Sequence, residues 1–241
     1  MKKIAVISDL HIPHHNAELV EKIIRALRRK NYSKLIINGD LLDFYELSSY
    51  EKDSDLSTPI EESLDAAIKF IRSTGMEVVY LLGNHEKRLD KYILKNSPVF
   101  KNLITIKRYL ALNQCNIEIL DYQQEYQVEN CNLYIKHSPL SYGENLARIS
   151  LKKASGRSFI YSCAHRMDMA VTRRITANMS FYDAVYINPH LCDESSPVFA
   201  YTKGNQNWQS GFTTIKVKKT SFYVEQHLIK DGKFLLDGTI F

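Results

Sequence analysis

The stretch "KIAVISDLH", residues 3–11, indicates both how this chain folds and where its polar chemistry lies. Its "IAVI" segment is a short apolar run, which is typical of a strand buried in a parallel sheet. Asp9 and His11 follow that run directly. Two later apolar runs, "KLII" (34–37) and "EVVYLL" (77–82), are also followed at once by polar residues. Polar groups that come directly after buried strands are therefore a repeated feature of the sequence.

Amphipathic segments alternate with these strands. Asn16 is placed to cap a helix over roughly 17–30, with an apolar face made of Leu19, Val20, Ile23, Ile24 and Leu27. The same patterns predict helices over roughly 59–74, 86–96 and 146–154, and strands at 132–136 and 158–162. This alternation predicts an α/β fold. After about Asp168 the pattern changes to strands linked by turns, so we expect the last third to be β-rich.

Composition sets the broad class of protein. With 241 residues, of which 44% are hydrophobic and 24% charged, the chain suits a single globular domain over residues 1–241. The net charge of +5 is compatible with an anionic substrate and does not by itself indicate nucleic acid. No apolar run approaches the roughly 18 residues of a membrane helix. The N-terminal run is also shorter than the roughly 7 residues of a signal-peptide core. We therefore expect a cytoplasmic protein without a membrane partner, and the oligomeric state is not predicted.

Five predicted strand ends carry side chains that ligate metals. In chain order they are Asp9 and His11, Asp40 and Asp43, Asn84 and His85, His137, and Cys163 and His165. Ligands in open α/β sheets bind at the carboxyl ends of strands, so these groups are expected to meet at one rim. Carboxylate, imidazole and amide oxygen together suit divalent Mn, Fe or Zn. The set is too large for one four-coordinate ion, and two ions are expected.

Asp40 is the residue expected to bridge two such ions, with one oxygen on each. A metal pair about 3.5–4 Å apart clamps a phosphate and lowers the pKa of bound water from about 15.7 towards 7. Gly39 and Gly83 stand just before the ligands, where we expect them to permit tight turns with unusual backbone angles. The sequence thus predicts a two-metal centre suited to phosphate esters.

In their order, these motifs resemble the calcineurin-like metallophosphoesterase superfamily. "DLH" (9–11), "GDLLD" (39–43), "GNHE" (83–86), His137 and a closing histidine match its pattern DxH, GDxxD, GNH[DE], H, GHxH. "NWQSGF" (207–212) also resembles the C-terminal segment of small bacterial and phage members. The resemblance implies a sandwich of two mixed β-sheets flanked by helices.

The resemblance also implies roles for individual residues. Metal one would be held by Asp9, His11 and Asp40, and metal two by Asp40, Asn84 and His137. His85 would bind no metal and would donate a proton to the leaving oxygen, with Asp43 holding and charging its imidazole. Asn84 would also face the substrate. Arg88 follows His85 by one helical turn, so it either reaches a phosphate or lies on a solvated helix face.

The closing GHxH motif is altered here to "CAHRM", and two registers are possible. If His165 is the first histidine, Met167 replaces the second, and a thioether is a poor ligand beside hard carboxylates. If His165 is the second, Cys163 replaces the first, and a thiolate is a good ligand for Zn or Fe. The second register loses no ligand and is preferred, with Cys163 on metal two and His165 on metal one. The alternative interpretation of Cys163 is a packed strand residue.

The implied function is that of a metal-dependent phosphoric ester hydrolase. It would hydrolyse a phosphate mono- or diester by attack of a metal-bridging hydroxide, on two divalent ions (Mn, Fe or Zn). A nuclease acting on DNA or RNA with the same centre, and a non-catalytic interaction module on the same fold, remain alternatives. The presence of both His85 and Asp43 favours an enzyme. The substrate is an anionic phosphate ester, and nucleic acid is possible without being required.

Other polar residues have simpler interpretations. His14 and His15 are interpreted as surface loop residues near a helix start. Arg173 and Arg174 are interpreted as part of an exposed strand edge, and "HLCD" (190–193) as a loop.

Overall fold

The structure is a computed structural model that describes residues 1–49, 53–113, 117–176, 179–202 and 207–241. Its strands are β1 (Lys2–Ile7), β2 (Lys34–Asn38), β3 (Glu77–Leu81), β4 (Glu118–Leu120), β5 (Tyr126–Gln127), β6 (Leu133–Lys136), β7 (Ser158–Tyr161), β8 (Asp168–Thr176), β9 (Met179–Ile187), β10 (Gly211–Lys218), β11 (Ser221–Leu228), β12 (Leu235–Leu236) and β13 (Thr239–Ile240). Its helices are α1 (Ala17–Arg29), α2 (Ile60–Ser73), α3 (Glu86–Asn96), α4 (Ile106–Leu112) and α5 (Leu146–Lys153).

Two mixed sheets make up the centre of the molecule. The first has the order β11-β10-β1-β2-β3-β4, in which β1 to β4 are parallel and β10 runs antiparallel to β1. The second has the order β5-β6-β7-β9-β8, with parallel β6, β7 and β9 and antiparallel strands at both edges. The predicted fold class is confirmed, and the β-rich last third is confirmed as β8 to β13.

The alternation of side chains along β1 explains how two apolar faces come from one short run. Ile4 and Val6 point into the core between the two sheets, where they meet Ile135 and Ile160 of the second sheet. Ala5 and Ile7 belong instead to the core beneath α1, α2 and α3. A strand buried on both faces reads as a continuous apolar run, and "IAVI" is such a run. Helix α5 covers the outer face of the second sheet.

Helix α1 forms as the sequence predicts. Asn16 precedes it, and the side-chain oxygen of Asn16 accepts a hydrogen bond from Leu19 N at 3.1 Å. This bond satisfies one of the main-chain N–H groups that a helix leaves free at its first turn. None of the helices within the described residues is both long and apolar enough to cross a membrane.

Two buried asparagines tie the rims of the sheets together. Asn38, at the end of β2, donates to Lys136 O at 3.2 Å and to Ser162 Oγ at 2.7 Å. Asn188, just after β9, donates to Ser8 Oγ at 2.7 Å. Because these bonds join the carboxyl ends of strands from different sheets, the loops that follow those strands are held beside one another.

Candidate metal centre

The loops after β1 and β7 bring a first group of ligands together. Nε2 of His165 lies 3.2 Å from Asp9 Oδ1 and 3.3 Å from Nε2 of His11. One ligating atom from each of these three residues lies within 4.8 Å of the others, and all three residues are buried. His165 is therefore placed with the Asp9 and His11 pair.

The loops after β2, β3 and β6 form a second group beside the first. Nε2 of His137 lies 3.3 Å from Asp40 Oδ2 and 3.0 Å from Asn84 Oδ1. Sγ of Cys163 lies 3.2 Å from the same Asn84 oxygen. Asp9, Asp40 and His137 have ligating atoms within 4.8 Å of one another, so Asp9 belongs geometrically to both groups. The bridging role of Asp40 stays a prediction.

Five of the candidate ligands have left-handed backbone angles. Asp9, His11, Asp40, Cys163 and His165 have φ angles of 53°, 55°, 49°, 68° and 55°, respectively. Residues other than glycine rarely adopt this left-handed backbone conformation, and residues that do so are often found at functional sites. In both Asp-x-His and Cys-x-His, the first and third residues share this conformation, and each pair turns toward the same centre.

The two motif glycines serve different purposes. Gly39 has a φ of +82°, as expected, and a Cβ there would lie 2.1 Å from Nδ1 of His137. The expectation of an unusual backbone angle at Gly83 was wrong, because its φ is not in the left-handed region. A Cβ at Gly83 would instead lie 2.4 Å from Asp40 N, so glycine is required there by the close approach of two loops.

Asp43 stands between two histidines rather than beside His85 alone. Its Oδ2 lies 2.8 Å from Nδ1 of His11 and 3.4 Å from Nδ1 of His85. Burial alone would raise the pKa of Asp43, but its hydrogen bonds to both imidazoles hold that pKa far below its usual range. The pKa of His11 is lowered to about 4, first by burial and then by nearby His85. Asp43 thus fixes His11 with Nε2 toward His165.

His85 and Arg88 face into the site together. Nδ1–H of His85 donates to the main-chain oxygen of Asp43 at 2.9 Å, which leaves Nε2 as the nitrogen that faces the site and Arg88. Arg88 donates to Asp43 O at 3.0 Å and lies 3.1 Å from Nε2 of His85. The side chain of Arg88 is 22% exposed and contacts the site, so it does not lie on a solvated helix face.

The charge balance of the site fits divalent cations. Four carboxylates of this site expose 3% of their surface or less, namely Asp9, Asp40, Asp43 and Glu86. Burying so many negative charges is unfavourable unless cations compensate for them. Oδ1 of Asp9 is buried and makes no hydrogen bond to the described residues. Burial would lower the pKa of His137, but the Asp40 carboxylate raises it well above its usual value. The electric field of the buried carboxylates therefore favours positive charge at this site.

Several residues at the site were missed by sequence reasoning. Glu86 is part of "GNHE", but its side-chain contacts do not follow from the sequence. His190 is fully buried, with its ring centroid 5.4 Å from that of His165, although "HLCD" was interpreted as an ordinary loop. Trp208 lies closer, at 4.2 Å from the His165 ring. The available signal for His190 was its place just after the apolar run 184–187, as the other candidate ligands follow theirs, and nothing local indicated Trp208.

The remaining polar residues lie at the edges of this region. His14 and His15 are half-buried rather than fully on the surface, because the segment from 190 to 196 packs against them. Arg173 and Arg174 are exposed on β8, which is an edge strand, as expected. Arg174 pairs with Asp183 at 3.0 Å.

Two comparisons with known structures support the fold, and a third structure is similar at a lower score. Vacuolar protein sorting 29 from Cryptosporidium parvum has a TM-score of 0.53 at 10% identity, with 100% of this chain and 97% of that chain covered. Vps29 from Chaetomium thermophilum has a TM-score of 0.52 at 11% identity, with coverages of 96% and 93%. A dimetal phosphatase from Danio rerio has a TM-score of 0.44 at 10% identity, with coverages of 93% and 95%. No curated protein sequence matches the chain.

Sequence comparison identifies the family directly. The calcineurin-like phosphoesterase family (Metallophos) matches residues 2–160, which include every ligand motif up to His137. Cys163 and His165 lie just beyond the matched range. Members of this family typically bind divalent metals, in agreement with the donor groups described above. The chain therefore belongs to the calcineurin-like phosphoesterase family.

Proposed function

We propose that this protein hydrolyses phosphate mono- or diesters with the help of two divalent metal ions. The observation that carries the proposal is the convergence of two buried ligand groups at one rim, with His85 beside them. In the proposed arrangement, metal one would be held by Asp9, His11, Asp40 and His165, and metal two by Asp40, Asn84, His137 and Cys163. The chemistry that bound cations supply is Lewis acidity, which polarises a phosphoryl oxygen and lowers the pKa of coordinated water.

The assignment of Cys163 to metal two rests on its neighbours. Its sulfur is 3.2 Å from Asn84 Oδ1, while His165 lies with Asp9 and His11. This arrangement supports the register in which Cys163 replaces the first histidine of GHxH. Main-chain N–H of Met167 donates to Gln209 Oε1 at 2.8 Å, which ties that residue to the segment after Trp208. A thiolate in this position would favour Zn or Fe.

The protein's own groups account for proton transfer and phosphate binding. His85 is fixed through Nδ1 by Asp43, so Nε2 is the atom that would deliver a proton to the leaving oxygen. In the structure Nε2 accepts a hydrogen bond from Arg88 at 3.1 Å, so Arg88 would turn from this nitrogen to a phosphate oxygen when Nε2 carries the proton. We infer that Arg88 binds a phosphate oxygen beside His85, and that the amide of Asn84 also contacts the substrate.

A metal titration tests the centre independently of turnover. Trp208 is the single tryptophan of the chain, and its ring lies 4.2 Å from that of His165. Binding of paramagnetic Mn²⁺ at metal one is expected to quench its fluorescence. Anomalous scattering from the Mn²⁺-loaded protein should give two peaks that share the Asp40 carboxylate. A single peak, or an Asp40 that points away from both peaks, would contradict the two-metal centre.

Cys163 variants test the altered motif. We expect Cys163→Ser to weaken metal two selectively, Cys163→His to restore or improve Mn²⁺-dependent turnover, and Met167→Leu to change little. In a Zn-loaded structure the sulfur should lie about 2.3 Å from one Zn. A sulfur buried away from both ions, with His165 on metal two, would refute this register.

An activity screen of the metal-loaded protein separates the functional alternatives. The substrates are p-nitrophenyl phosphate, bis-p-nitrophenyl phosphate, a nucleotide, and single- and double-stranded DNA. Metal-dependent turnover of either small ester or of the nucleotide supports the proposal. Turnover restricted to DNA would identify a nuclease with the same centre. Metal binding without turnover of any substrate would favour a non-catalytic interaction module.

A further inference from the structure

We propose that Glu86 is a positioning residue that locks together the two loops on which the metal centre depends. One loop carries Asp40 and the other carries Asn84 and His85. Glu86 touches neither substrate nor metal in this proposal, and acts through the main chain of its neighbours. The inference rests on the proposed function, because it assigns a cause to the geometry of that same site.

The contacts of Glu86 are unusual in number and kind. Although it is the first residue of α3, its side chain is buried, and the residue is 1% exposed. Oε2 accepts hydrogen bonds from Asp40 N at 3.0 Å and Gly83 N at 2.6 Å. Oε1 accepts from Leu42 N at 2.9 Å and from the Tyr80 hydroxyl at 2.7 Å. One carboxylate therefore binds the loop after β2, the loop after β3, and β3 itself.

The connection between the loops runs in both directions. While Glu86 accepts from Asp40 N, Oδ1 of Asp40 accepts from His85 N at 2.9 Å. Each loop thus presents a carboxylate to the main-chain N–H groups of the other. The close approach at Gly83 belongs to the same contact, since a Cβ there would meet Asp40. A shift of either loop would move Asp40, Asn84 and His85 together.

This arrangement requires a side chain that only accepts hydrogen bonds. Three of the four partners are main-chain N–H groups, which cannot become acceptors, whereas the Tyr80 hydroxyl can rotate. Glutamine has the same shape but replaces one oxygen with NH₂. In either orientation its NH₂ would face at least one of these N–H groups and leave it unsatisfied. Glu86→Gln should therefore disturb the loops without creating a cavity.

Mn²⁺ affinity, measured through Trp208 fluorescence, is the main readout. Residues that hydrogen-bond to metal ligands without touching the metal typically contribute about 10–100-fold to metal affinity or activity. We expect Glu86→Gln to lower the Mn²⁺ affinity by a factor of that size. Glu86→Asp keeps both acceptor oxygens and should recover part of the loss. Tyr80→Phe removes one hydrogen bond and leaves the loops held, so its loss should be about 2- to 10-fold.

Asn16→Ala is the matched control for a purely structural role. Asn16 caps α1, and the variant lowers the stability of the fold without touching either loop. Its Mn²⁺ affinity should equal that of the wild type, even where its unfolding midpoint matches that of Glu86→Gln. If Glu86→Gln does not fold, the ranking of Glu86→Asp and Tyr80→Phe against Asn16→Ala provides the same test.

The outcomes separate this inference from the proposed function. Wild-type affinity in Glu86→Gln, or a loss no greater than that of Asn16→Ala at equal stability, would overturn the positioning role and leave the hydrolase proposal intact. A wild-type protein that binds no Mn²⁺ would overturn both. Weakened Mn²⁺ binding in Glu86→Gln with partial recovery in Glu86→Asp supports the inference.

Discussion

At the scale of single residues, the site consists of recognisable side chains held in conformations that no local pattern reveals. The types and order of Asp9, His11, Asp40 and His137 indicate a metal centre from the sequence alone. Their left-handed backbone angles do not follow from the sequence, because the surrounding sheets and loops impose them. The contacts of Glu86 and Trp208 were unpredictable for the same reason, since their partners are set by the tertiary fold.

Removal of the imidazole at His85 tests its role as proton donor. We expect His85→Ala to lower turnover by about 10²–10⁴-fold, the usual contribution of general acid catalysis. The loss should shrink for esters with good leaving groups, which need little protonation. Metal content, measured by elemental analysis, should stay at the wild-type level. An equal loss for good and poor leaving groups would point to another role for His85.

Gly83→Ala tests how closely the two loops must approach. The added Cβ would lie 2.1 Å from Asp40 Oδ1 and 2.4 Å from Asp40 N, so the loops must separate. We expect the Mn²⁺ affinity to fall by about tenfold or more. A loss of this size is typical when a residue that holds a metal ligand in place is disturbed. Gly232→Ala is a control for strain alone, because its φ of +66° disfavours a side chain while a Cβ there meets nothing within 4 Å, and its Mn²⁺ binding should be unchanged. Unchanged Mn²⁺ binding in Gly83→Ala would show that the loops are free to separate.

At the scale of elements, length decided which segments could be predicted. β1, β2, β3, β6 and β7 are apolar runs between polar segments, and α1 has a clear apolar face. β4 and β5 span three and two residues and are too short to show a period, so they were not predicted. α4, with seven residues, was missed as well. Short elements depend on their neighbours rather than on their own pattern.

The cap of α1 gives an element-scale prediction. Asn16→Ala removes the oxygen that accepts from Leu19 N, and we expect the free energy of unfolding to fall by about 0.5–2 kcal/mol. Asn16→Asp keeps a capping oxygen and should stay close to the wild type. Urea denaturation followed by far-UV circular dichroism measures both. Equal stability of Asn16→Ala and wild type would show that solvent satisfies the first turn equally well.

At the scale of the whole molecule, the N-terminal and C-terminal parts share one sheet. β1 lies between β2 and β10, so the strand that leads to Asp9 is paired on one side with residues 211–218. Local patterns predicted both strands but not their pairing, because nothing in either segment specifies a partner some 210 positions away. The single domain over residues 1–241 stays a prediction. The shared sheet makes cooperative unfolding the expected behaviour.

An ion-pair cluster fastens the C-terminal hairpin to this sheet. Asp237 contacts Lys3 Nζ at 2.8 Å and Lys216 Nζ at 2.5 Å. Burial would raise the pKa of Asp237, but the two lysines outweigh it and lower the pKa. A lowered pKa in the folded state stabilises the protein above the unfolded value of about 3.9, and this contribution is lost as pH falls through the folded pKa.

The prediction from this cluster concerns Asp237→Asn. Near pH 7 the variant should be less stable than the wild type, since two partly buried lysines lose their anion. The difference should shrink as pH falls below about 3.9, because the carboxyl of the unfolded chain takes up a proton there while that of the folded protein does so only at lower pH. Urea midpoints from pH 3 to pH 7 measure it, with Asp231→Asn, on the exposed turn, as the control. A difference that stays constant over this range would contradict the role of the charge.

The pairing of β1 with β10 also bears on how the protein is made. A ribosome synthesises the chain from its N-terminus. The candidate ligands, from Asp9 to His165, are therefore made before β10, which spans residues 211–218. While residues 166–210, about a fifth of the chain, are synthesised, a nascent polypeptide thus carries its candidate ligands on a sheet that lacks one of its central strands. A metal taken up in that interval would meet ligands whose strained backbone is not yet supported. Metal loading is therefore expected to follow release from the ribosome.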